Sequence, residues 1–402
     1  MSREQRMAGR EAASAGRGHG SGRGRPGGRR ARVGVVGAAV ATVAVAGSIL
    51  VTSVVGDDRA AEAQTFRADT LTASDDVRPG DALCADAAGG CSLRAAIQET
   101  EALTGQHTIT LGFGEHDLGG PITVRSKLQI SRDWSGGPSQ ANPVIDLDDQ
   151  PGFRVEGGAL TLSGIDVING LDVDGAGGAA IHGAGAEIIV SDGAFRNNRT
   201  DGFGGAIFVA TGALRVYGDF EDNAALGGGA VAVIGAELTG AATFTRNGAS
   251  GSGGAIHALQ PRRLAIDGAT FTENVALDQG GALFIEGHGG TSTFEVLRSA
   301  FTGNSSGNEG GALFVVMPSS PAQFRVWRGT FSQNIGLVGG AIASDWANVL
   351  VDQSTFDENQ AVGGAGGAVG AGGTLAVTSS DFTGNEADGN GGAIGSNAGL
   401  TV

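Results

Sequence analysis

Hydrophobic and polar residues alternate along most of the chain, in short runs that are separated by glycine. Residues 253–280 show one unit, which consists of the alternating run GGAIHAL, a second run LAIDGATF and a polar, turn-rich segment TENVALDQ. Such alternation is typical of strands with one buried face. Because no unit carries an amphipathic helical pattern, the repeated part of the chain is predicted to be all-β.

Two short motifs recur together through the second half of the chain. A Gly-Gly-Ala-aliphatic motif returns every 24 to 30 residues, and a Phe-x-x-Asn motif lies between successive Gly pairs. The Gly pairs begin at Gly177, Gly204, Gly228, Gly253, Gly280, Gly310, Gly339, Gly366 and Gly391. The Phe and Asn positions are Phe195 and Asn198, Phe220 and Asn223, Phe244 and Asn247, Phe271 and Asn274, Phe301 and Asn304, Phe331 and Asn334, Phe356 and Asn359, Phe382 and Asn385.

The repeat period separates the possible solenoid and propeller folds. A propeller blade needs four strands and about 40–50 residues, and helical solenoids need helices. A period near 25 residues fits a parallel β-helix, in which each unit is one coil stacked about 4.8 Å from the next. We therefore expect residues 107–402 to form a stack in which Phe lies on Phe, Asn amides form a ladder, and the Gly pairs make tight corners.

The segment before the repeats has the pattern of an N-terminal cap. Residues 65–106 are predicted to cover the first coil, because an open solenoid end would expose its core. Ser92 is positioned to N-cap a helix that runs to about Leu103. The face expected to pack on the coil comprises Leu93, Ala96, Ile97, Thr100 and Leu103, with Glu99 and Glu101 off that face.

Charge is distributed unevenly along the chain. The formal net charge is −16, although residues 1–32 carry nine Arg and two Glu, so the remainder has a net charge of −23. A body this acidic argues against a nucleic-acid partner, which requires a cationic face. We expect residues 1–32 to be a disordered, basic, cytoplasmic segment.

An uncharged apolar run at 33–56 follows this basic segment and indicates export. The run is long enough to span a bilayer, and an Ala-x-Ala cleavage pattern occurs within the linker 57–64. A cleaved signal peptide and an uncleaved membrane anchor therefore both remain open, and any membrane contact is expected only through residues 33–56. Both alternatives place the body in a secreted or cell-surface location.

The chain contains two cysteines, Cys84 and Cys91, after the apolar run. An even pair in an exported chain indicates a disulfide, and closing this short loop would contribute about 2.5 kcal/mol in the chain-entropy model. A metal site would need more ligands than the neighbouring sequence supplies.

Two parts of the sequence resemble known families. Residues 91–97, CSLRAAI, resemble the CSLREA motif that opens many secreted right-handed β-helix proteins, with Ala95 in place of its Glu. The Gly-Gly-Ala-aliphatic and Phe-x-x-Asn motifs are similar to polymorphic outer membrane protein repeats, an autotransporter and adhesin-like group. The resemblance implies a single-stranded right-handed parallel β-helix, a solenoid of about 10–12 coils with a short N-terminal capping helix.

The repeat also suggests a binding surface. If Ile207 and its equivalents point inward, the next residue in each coil points outward. We call this set the outer row: His182, Phe208, Ala232, His257, Phe284, Phe314, Ala343, Gly370 and Gly395. Three exposed Phe and two His in one line would form an apolar stripe, which we interpret as a face for a surface glycan or a protein ligand. Coverage by loops, or a reversed alternation, would instead bury the row.

Other candidate sites are weaker. Trp327 and Trp346 are single in their repeats and are each a possible binding anchor, with packing as the alternative. Asp172 and Asp174 resemble half of a calcium loop, although a plain turn fits as well and no other cofactor is indicated. Neighbouring carboxylates on a strand point to opposite faces, so the sequence supplies no catalytic residue.

The sequence therefore favours an exported, non-catalytic adhesion or binding module. The alternatives are a carbohydrate-active enzyme on the same fold, either a polysaccharide lyase or a glycoside hydrolase, and a purely structural envelope protein. Because the chain ends inside a repeat, a partner chain over the last coil is a further expectation.

Overall fold

The polypeptide winds into coils whose equivalent strands pair in parallel. A computed structural model describes residues 63–137, 141–287, 293–317 and 323–402. Three strand columns belong to one continuous hydrogen-bonded system, and a fourth column forms a separate narrow sheet. The predicted segments 1–32 and 33–56 lie outside the described residues.

The three main columns have strands of three to six residues, and two long strands, Ile181–Arg196 and Ile207–Glu221, pass through all three. The first column contains in addition Ile122–Val124, Phe153–Glu156, Val231–Ile234, Ile256–Leu259, Leu283–Glu286, Leu313–Val316, Ile342–Asp345, Val369–Ala371 and Ile394–Ser396. The second contains Thr65–Ala68, Gln106–Leu111, Lys127–Arg132, Ala159–Ser163, Glu237–Gly240, Arg263–Asp267, Thr293–Leu297, Gln323–Trp327, Asn348–Asp352, Leu375–Thr378 and the shorter Leu400–Thr401. The third contains Glu115–Asp117, Val144–Asp146, Asp166–Ile168, Thr243–Thr245, Thr270–Thr272, Ala300–Thr302, Thr330–Ser332, Thr355–Asp357 and Asp381–Thr383.

The fourth column is built from two-residue strands, and all but the first of them follow a ladder asparagine. Its strands are Leu171–Asp172, Arg199–Thr200, Ala224–Ala225, Gly248–Ala249, Val275–Ala276, Ser305–Ser306, Ile335–Gly336, Gln360–Ala361 and Glu386–Ala387. The sequence pattern assigned this segment to a polar turn, so the column is an addition to the predicted coil. Counted along the first column, the described residues form eleven coils, which confirms the predicted parallel β-helix.

The core is a series of stacked identical side chains. Phe220, Phe244, Phe271 and Phe301 are direct register partners in the third column. From Phe195 to Phe382 consecutive rings are 4.5–5.1 Å apart between centroids and 3–14° from parallel. Because the coils repeat at the inter-strand spacing, the offset-stacked aromatic arrangement follows from the register.

The predicted asparagine ladder is present and uses the whole amide group. The Oδ1 of Asn247 accepts hydrogen bonds from the backbone N–H of Asn223 at 3.1 Å and from its Nδ2 at 2.9 Å. The Nδ2 of Asn247 donates to the Phe220 carbonyl at 2.9 Å and to the Oδ1 of Asn274 at 3.0 Å. Each buried amide therefore links three coils with its four hydrogen bonds satisfied, which is what burial of a polar group requires.

The Gly pairs make the corners that lead into the first column. Gly253 has a φ of +72°, a conformation that side chains other than glycine adopt at a cost. A Cβ on Gly254 would lie 2.0 Å from the carbonyl oxygen of Gly281 in the next coil. The first Gly supplies a backbone conformation, and the second permits the close approach of two coils.

The capping helix spans Leu93–Ala102, with Ser92 as N-cap and Leu103 as C-cap. The Ser92 Oγ accepts from the Ala95 N–H at 3.0 Å, as expected for a capping serine. The expected face packs on the core, and Glu99 faces the loop that precedes the disulfide. Glu99 is fully buried, and its carboxylate accepts hydrogen bonds from the backbone N–H groups of Gly80 and Ala82, both at 2.5 Å.

The loop held by Glu99 also contains the predicted disulfide. Cys84 and Cys91 are bonded, with their Cα atoms 5.2 Å apart. The disulfide and the buried carboxylate therefore fix the same loop against the helix. Within the described ranges, no helix has the length and apolar character to cross a bilayer.

We predict that Gly254→Ala destabilises the fold while Gly248→Ala is tolerated. The two glycines belong to the same coil, but a Cβ on Gly248 would meet no atom within 4 Å. Urea unfolding of the full chain followed by circular dichroism would compare them. Equal unfolding midpoints for the two variants would show that close approach of the coils at Gly254 does not require glycine.

We also predict that Asn274→Ala lowers the free energy of unfolding by about 2–6 kcal/mol, because it leaves two buried donors of Asn247 without acceptors. Asn308→Ala is the matched control, since Asn308 is partly exposed and makes one long side-chain hydrogen bond at 3.4 Å to Asp278. Chemical denaturation of both variants gives the comparison. If Asn274→Ala lost no more unfolding free energy than the control, the ladder would not contribute to stability.

Candidate functional site

The outer row, predicted to be exposed, is buried. Phe208, His257, Phe284 and Phe314 are each at most 8% exposed, and His182 is half-buried. The alternation was assigned correctly, because these side chains do point away from the main core, and Phe284 and Phe314 form a separate small cluster with Ala343. The expectation of an exposed aromatic face is therefore wrong, and the alternative of a row covered by loops is confirmed.

Turns that precede the Gly pairs cover the outer row. The Nδ1 of His182 lies 2.9 Å from the Gly177 carbonyl, and the Nδ1 of His257 lies 3.0 Å from the Ser252 carbonyl. The ring of Phe203, which lies in one of these turns, is 5.2 Å from the ring of His257. Burial lowers the pKa of His257, against the opposing effect of the hydrogen bond to Ser252. The side chains of the outer row thus pack between the first column and the turns that cover it.

The two tryptophans have different surroundings. Trp327 is half-buried, with the Arg328 guanidinium 4.4 Å and the Arg325 guanidinium 5.7 Å from its ring centroid. Such cation–π contacts occupy the face that a ligand would use. Trp346 is 70% exposed and sits at a corner with a φ of +60°. The structure does not bring the two rings together in one cleft with the outer row.

The two calcium candidates, Asp172 and Asp174, have different surroundings. Asp172 is buried, and its Oδ2 accepts from the Gly177 N–H and from the Thr200 hydroxyl, both at 2.8 Å. Asp174 is exposed. The Asp172 carboxylate is therefore engaged in closing a turn, and no group of three or more His, Cys, Asp or Glu in the described residues is arranged to hold a metal ion.

A groove of about 930 Å³ lies beside the cap and is lined by Arg125, Lys127, Glu187 and several glycines. Its cations and carboxylates are largely paired, since Arg125 contacts Glu156 at 2.7 Å and Glu187 contacts Arg215 at 2.5 Å. A second cleft, about 140 Å³, contains Glu309 and Asp345. Burial and the Asp345 charge raise the pKa of Glu309.

The cleft at Glu309 is lined by carboxylates from two neighbouring coils, and a pair of carboxylates is what a hydrolase uses. Its volume is well below the roughly 300–1,000 Å³ of ordinary ligand sites, and Glu309 accepts a hydrogen bond from Gln279 at 2.9 Å. The cleft therefore offers little room for a sugar chain.

An exposed apolar surface occurs where the sequence pattern indicated a polar turn, on the fourth column. We call it the aliphatic stripe, and it comprises Leu226, Val275, Leu277, Ile335, Leu337 and Val362, which are 40–68% exposed. Among the described residues between 196 and 380, the other exposed large hydrophobic side chains are Tyr217 and Trp346. Its members lie in four of the six coils from Leu226 to Val362, and apolar residues grouped along one line mark interaction surfaces more often than scattered ones do.

The stripe arises from alternation over three residues. After each ladder Asn, the second residue is inward, for example the buried Ala276, while Val275 and Leu277 on either side point outward. The outward positions of the third column are mostly Thr, Ser and acidic residues, so the aliphatic character belongs to the fourth column. The sequence signal for the stripe is the short pattern Asn-Val-Ala-Leu at 274–277 and Asn-Ile-Gly-Leu at 334–337. Three residues after the Asn are too few for an alternating pattern to stand out.

Acidic side chains border the stripe. Glu273 and Asp278 bracket Val275 and Leu277, and both are exposed, as is Glu358 near Val362. Of the basic residues here, Arg246 is paired with Asp222 at 2.9 Å and also with Glu221. The exposed Arg199 lies at the Leu226 end of the stripe, where it lines the same groove as Asp201. The surface thus combines an apolar strip with a negative border.

Comparison with known families identifies the repeat. Three segments, 192–210, 241–259 and 298–316, match the family model described as the Chlamydia polymorphic membrane protein repeat. Each segment contains one Phe-x-x-Asn motif, one strand of the fourth column and one Gly pair. Neither the curated proteins nor the solved structures contain a match to this chain. The similarity therefore concerns the repeat unit, in agreement with the parallel β-helix.

We predict that Phe314→Ala lowers the free energy of unfolding by about 3–5 kcal/mol, because Phe314 is 2% exposed and stacks on Phe284 at 5.9 Å. Trp346→Ala should change it by less than about 0.5 kcal/mol, since that ring is in solvent. Thermal and urea unfolding measure both. A Phe314 variant as stable as the Trp346 variant would restore the exposed-row hypothesis.

Proposed function

We propose that this chain is an exported β-helix displayed at the cell surface, where it acts as a binding or adhesion module. The observation that carries the proposal is the aliphatic stripe, a line of exposed apolar side chains along the fourth column. Exposed apolar surface of this extent costs solubility, which a binding role accounts for. The function is thus assigned to a face of the solenoid rather than to a cleft.

Three further features support display outside the cytoplasm. The repeat family that matches is by name one of membrane proteins. The Cys84–Cys91 disulfide is of the kind that persists in oxidising compartments. The basic segment 1–32 followed by the apolar run 33–56 has the order expected of an export signal or anchor.

The chemistry of the stripe favours a protein ligand over a glycan. Its six members are aliphatic and present neither aromatic rings nor hydrogen-bonding groups. Sugars need convergent polar groups, whereas the buried centre of a protein interface is apolar and depleted of charge. The proposed ligand is accordingly a protein.

The chain offers a direct test of display through its single lysine, Lys127, which is exposed. We predict that a membrane-impermeant amine-reactive biotin reagent modifies Lys127 on intact cells that express the full chain. Mass spectrometry of the peptide around residue 127 gives the readout, and Lys127→Arg is the matched control. Modification of wild-type Lys127 only after cell lysis would overturn surface display.

A further inference from the structure

We infer that the aliphatic stripe is the docking surface for a basic, heptad-patterned α-helix of a partner protein, which lies along the axis of the solenoid. This inference rests on the proposed function in that it names the partner of the proposed binding face.

The first argument is the spacing of the apolar side chains. Leu226, Leu277 and Leu337 occupy the same position in every second coil, and Ser250 and Gly307 occupy it in the coils between. With coils about 4.8 Å apart, the leucines recur about every 9.6 Å. Seven residues of an α-helix rise about 10.5 Å, so side chains one heptad apart match this period closely.

The same spacing disfavours a partner β-strand. Side chains on one face of a β-strand recur every second residue, about 6.6–6.8 Å apart. A strand along the axis would therefore fall out of phase with the leucines after one repeat. A helix could place an apolar side chain in each gap between successive leucines and stay in register along all three leucines.

The second argument is the space between the ridges. A groove of about 400 Å³ lies between Leu226 and Leu277 and is floored by Gly248, Ala249 and Ser250. The absence of a side chain on Gly248 leaves this floor low, since no atom lies within 4 Å of where its Cβ would be. The groove has room for a leucine-sized side chain, as in the ridge-and-groove packing between helices.

The third argument is the length of the surface. From Leu226 to Val362 the stripe crosses five coil intervals, about 24 Å. At about 1.5 Å per residue this length corresponds to a helix of roughly 16 residues. Such a length is ordinary for a helix in a protein and presents just over two heptads.

The fourth argument is charge. Glu273, Asp278 and Glu358 border the stripe, and residues 33–402 together carry a net charge of −23. A second copy of the chain would bring two acidic surfaces together, and anionic lipid would be repelled in the same way. Lys or Arg beside the apolar face of a helix would instead meet the acidic border and improve both the rate and the specificity of association.

The test uses a synthetic 18-residue helical peptide with Leu at the heptad a and d positions, Lys beside them and a fluorescent label. Fluorescence anisotropy measures its binding to the purified full chain in a neutral detergent, with empty micelles as blank. We expect saturable binding that the double variant Leu277→Ser, Leu337→Ser weakens at least tenfold. Leu277 and Leu337 are 68% and 40% exposed, so the variant should keep its circular dichroism spectrum, with its melting temperature measured alongside.

Two controls separate the stripe from general stickiness and from charge alone. The matched variant Tyr217→Ser, Trp346→Ser removes exposed apolar side chains elsewhere and should leave affinity within twofold of wild type. A peptide with Glu in place of Lys should bind at least tenfold more weakly, and Glu273→Gln with Asp278→Asn should weaken the Lys peptide mainly at low salt.

Several outcomes would overturn the inference. They are equal binding by the stripe variant and wild type, equal binding of the two peptides, stripe-dependent self-association in analytical ultracentrifugation, and stripe-dependent binding to vesicles that contain phosphatidylglycerol. The Lys127 labelling experiment keeps the two proposals apart. Peptide binding without labelling would refute display alone, and labelling without peptide binding would refute helix docking alone.

Discussion

The structure depends on one constraint, which is that each coil must lie in register on the next. Parallel pairing at a fixed spacing places every side chain on its equivalent in the neighbouring coil. The buried Asn ladder enforces this register, because each amide bonds to the coil before and the coil after. A shift by one residue would leave a line of buried amides unpaired, so the ladder specifies the stack as well as stabilising it.

The Gly corners and the left-handed residues before the ladder follow from the same constraint. Arg246 and Glu273 adopt φ values of +51° and +54° although neither is glycine. The chain accepts this backbone cost because the corner must deliver the next Asn into the ladder. Since the side chains at these corners are free to point outward, charge can vary there while the interior stays uniform.

A repeating coil also organises the surface into lines, and the lines differ in environment. The first column's outward line lies under turns, which makes Phe314 and His257 part of the packing. The third column's line is polar, and the fourth column's line is aliphatic with an acidic border. The solenoid thereby presents an apolar strip along its axis, which suits recognition of another regular element.

The sequence by itself determined the fold, because the repeat period, the alternation and the paired motifs each reflect an interaction between neighbouring coils. It also determined the cap helix from Ser92 and the Cys84–Cys91 pairing. Only the tertiary structure decided which lines of side chains meet solvent. Alternation tells that Phe284 faces away from the core, but not that a turn from another part of the coil lies over it. In the same way, the helical pattern set Glu99 apart from the packed face, but only the structure shows that the loop at Gly80 and Ala82 supplies the backbone donors that allow its burial. The aliphatic stripe was missed because a strand of two residues is too short for periodicity to reveal, and its neighbours in space are about 25–30 residues away in the chain.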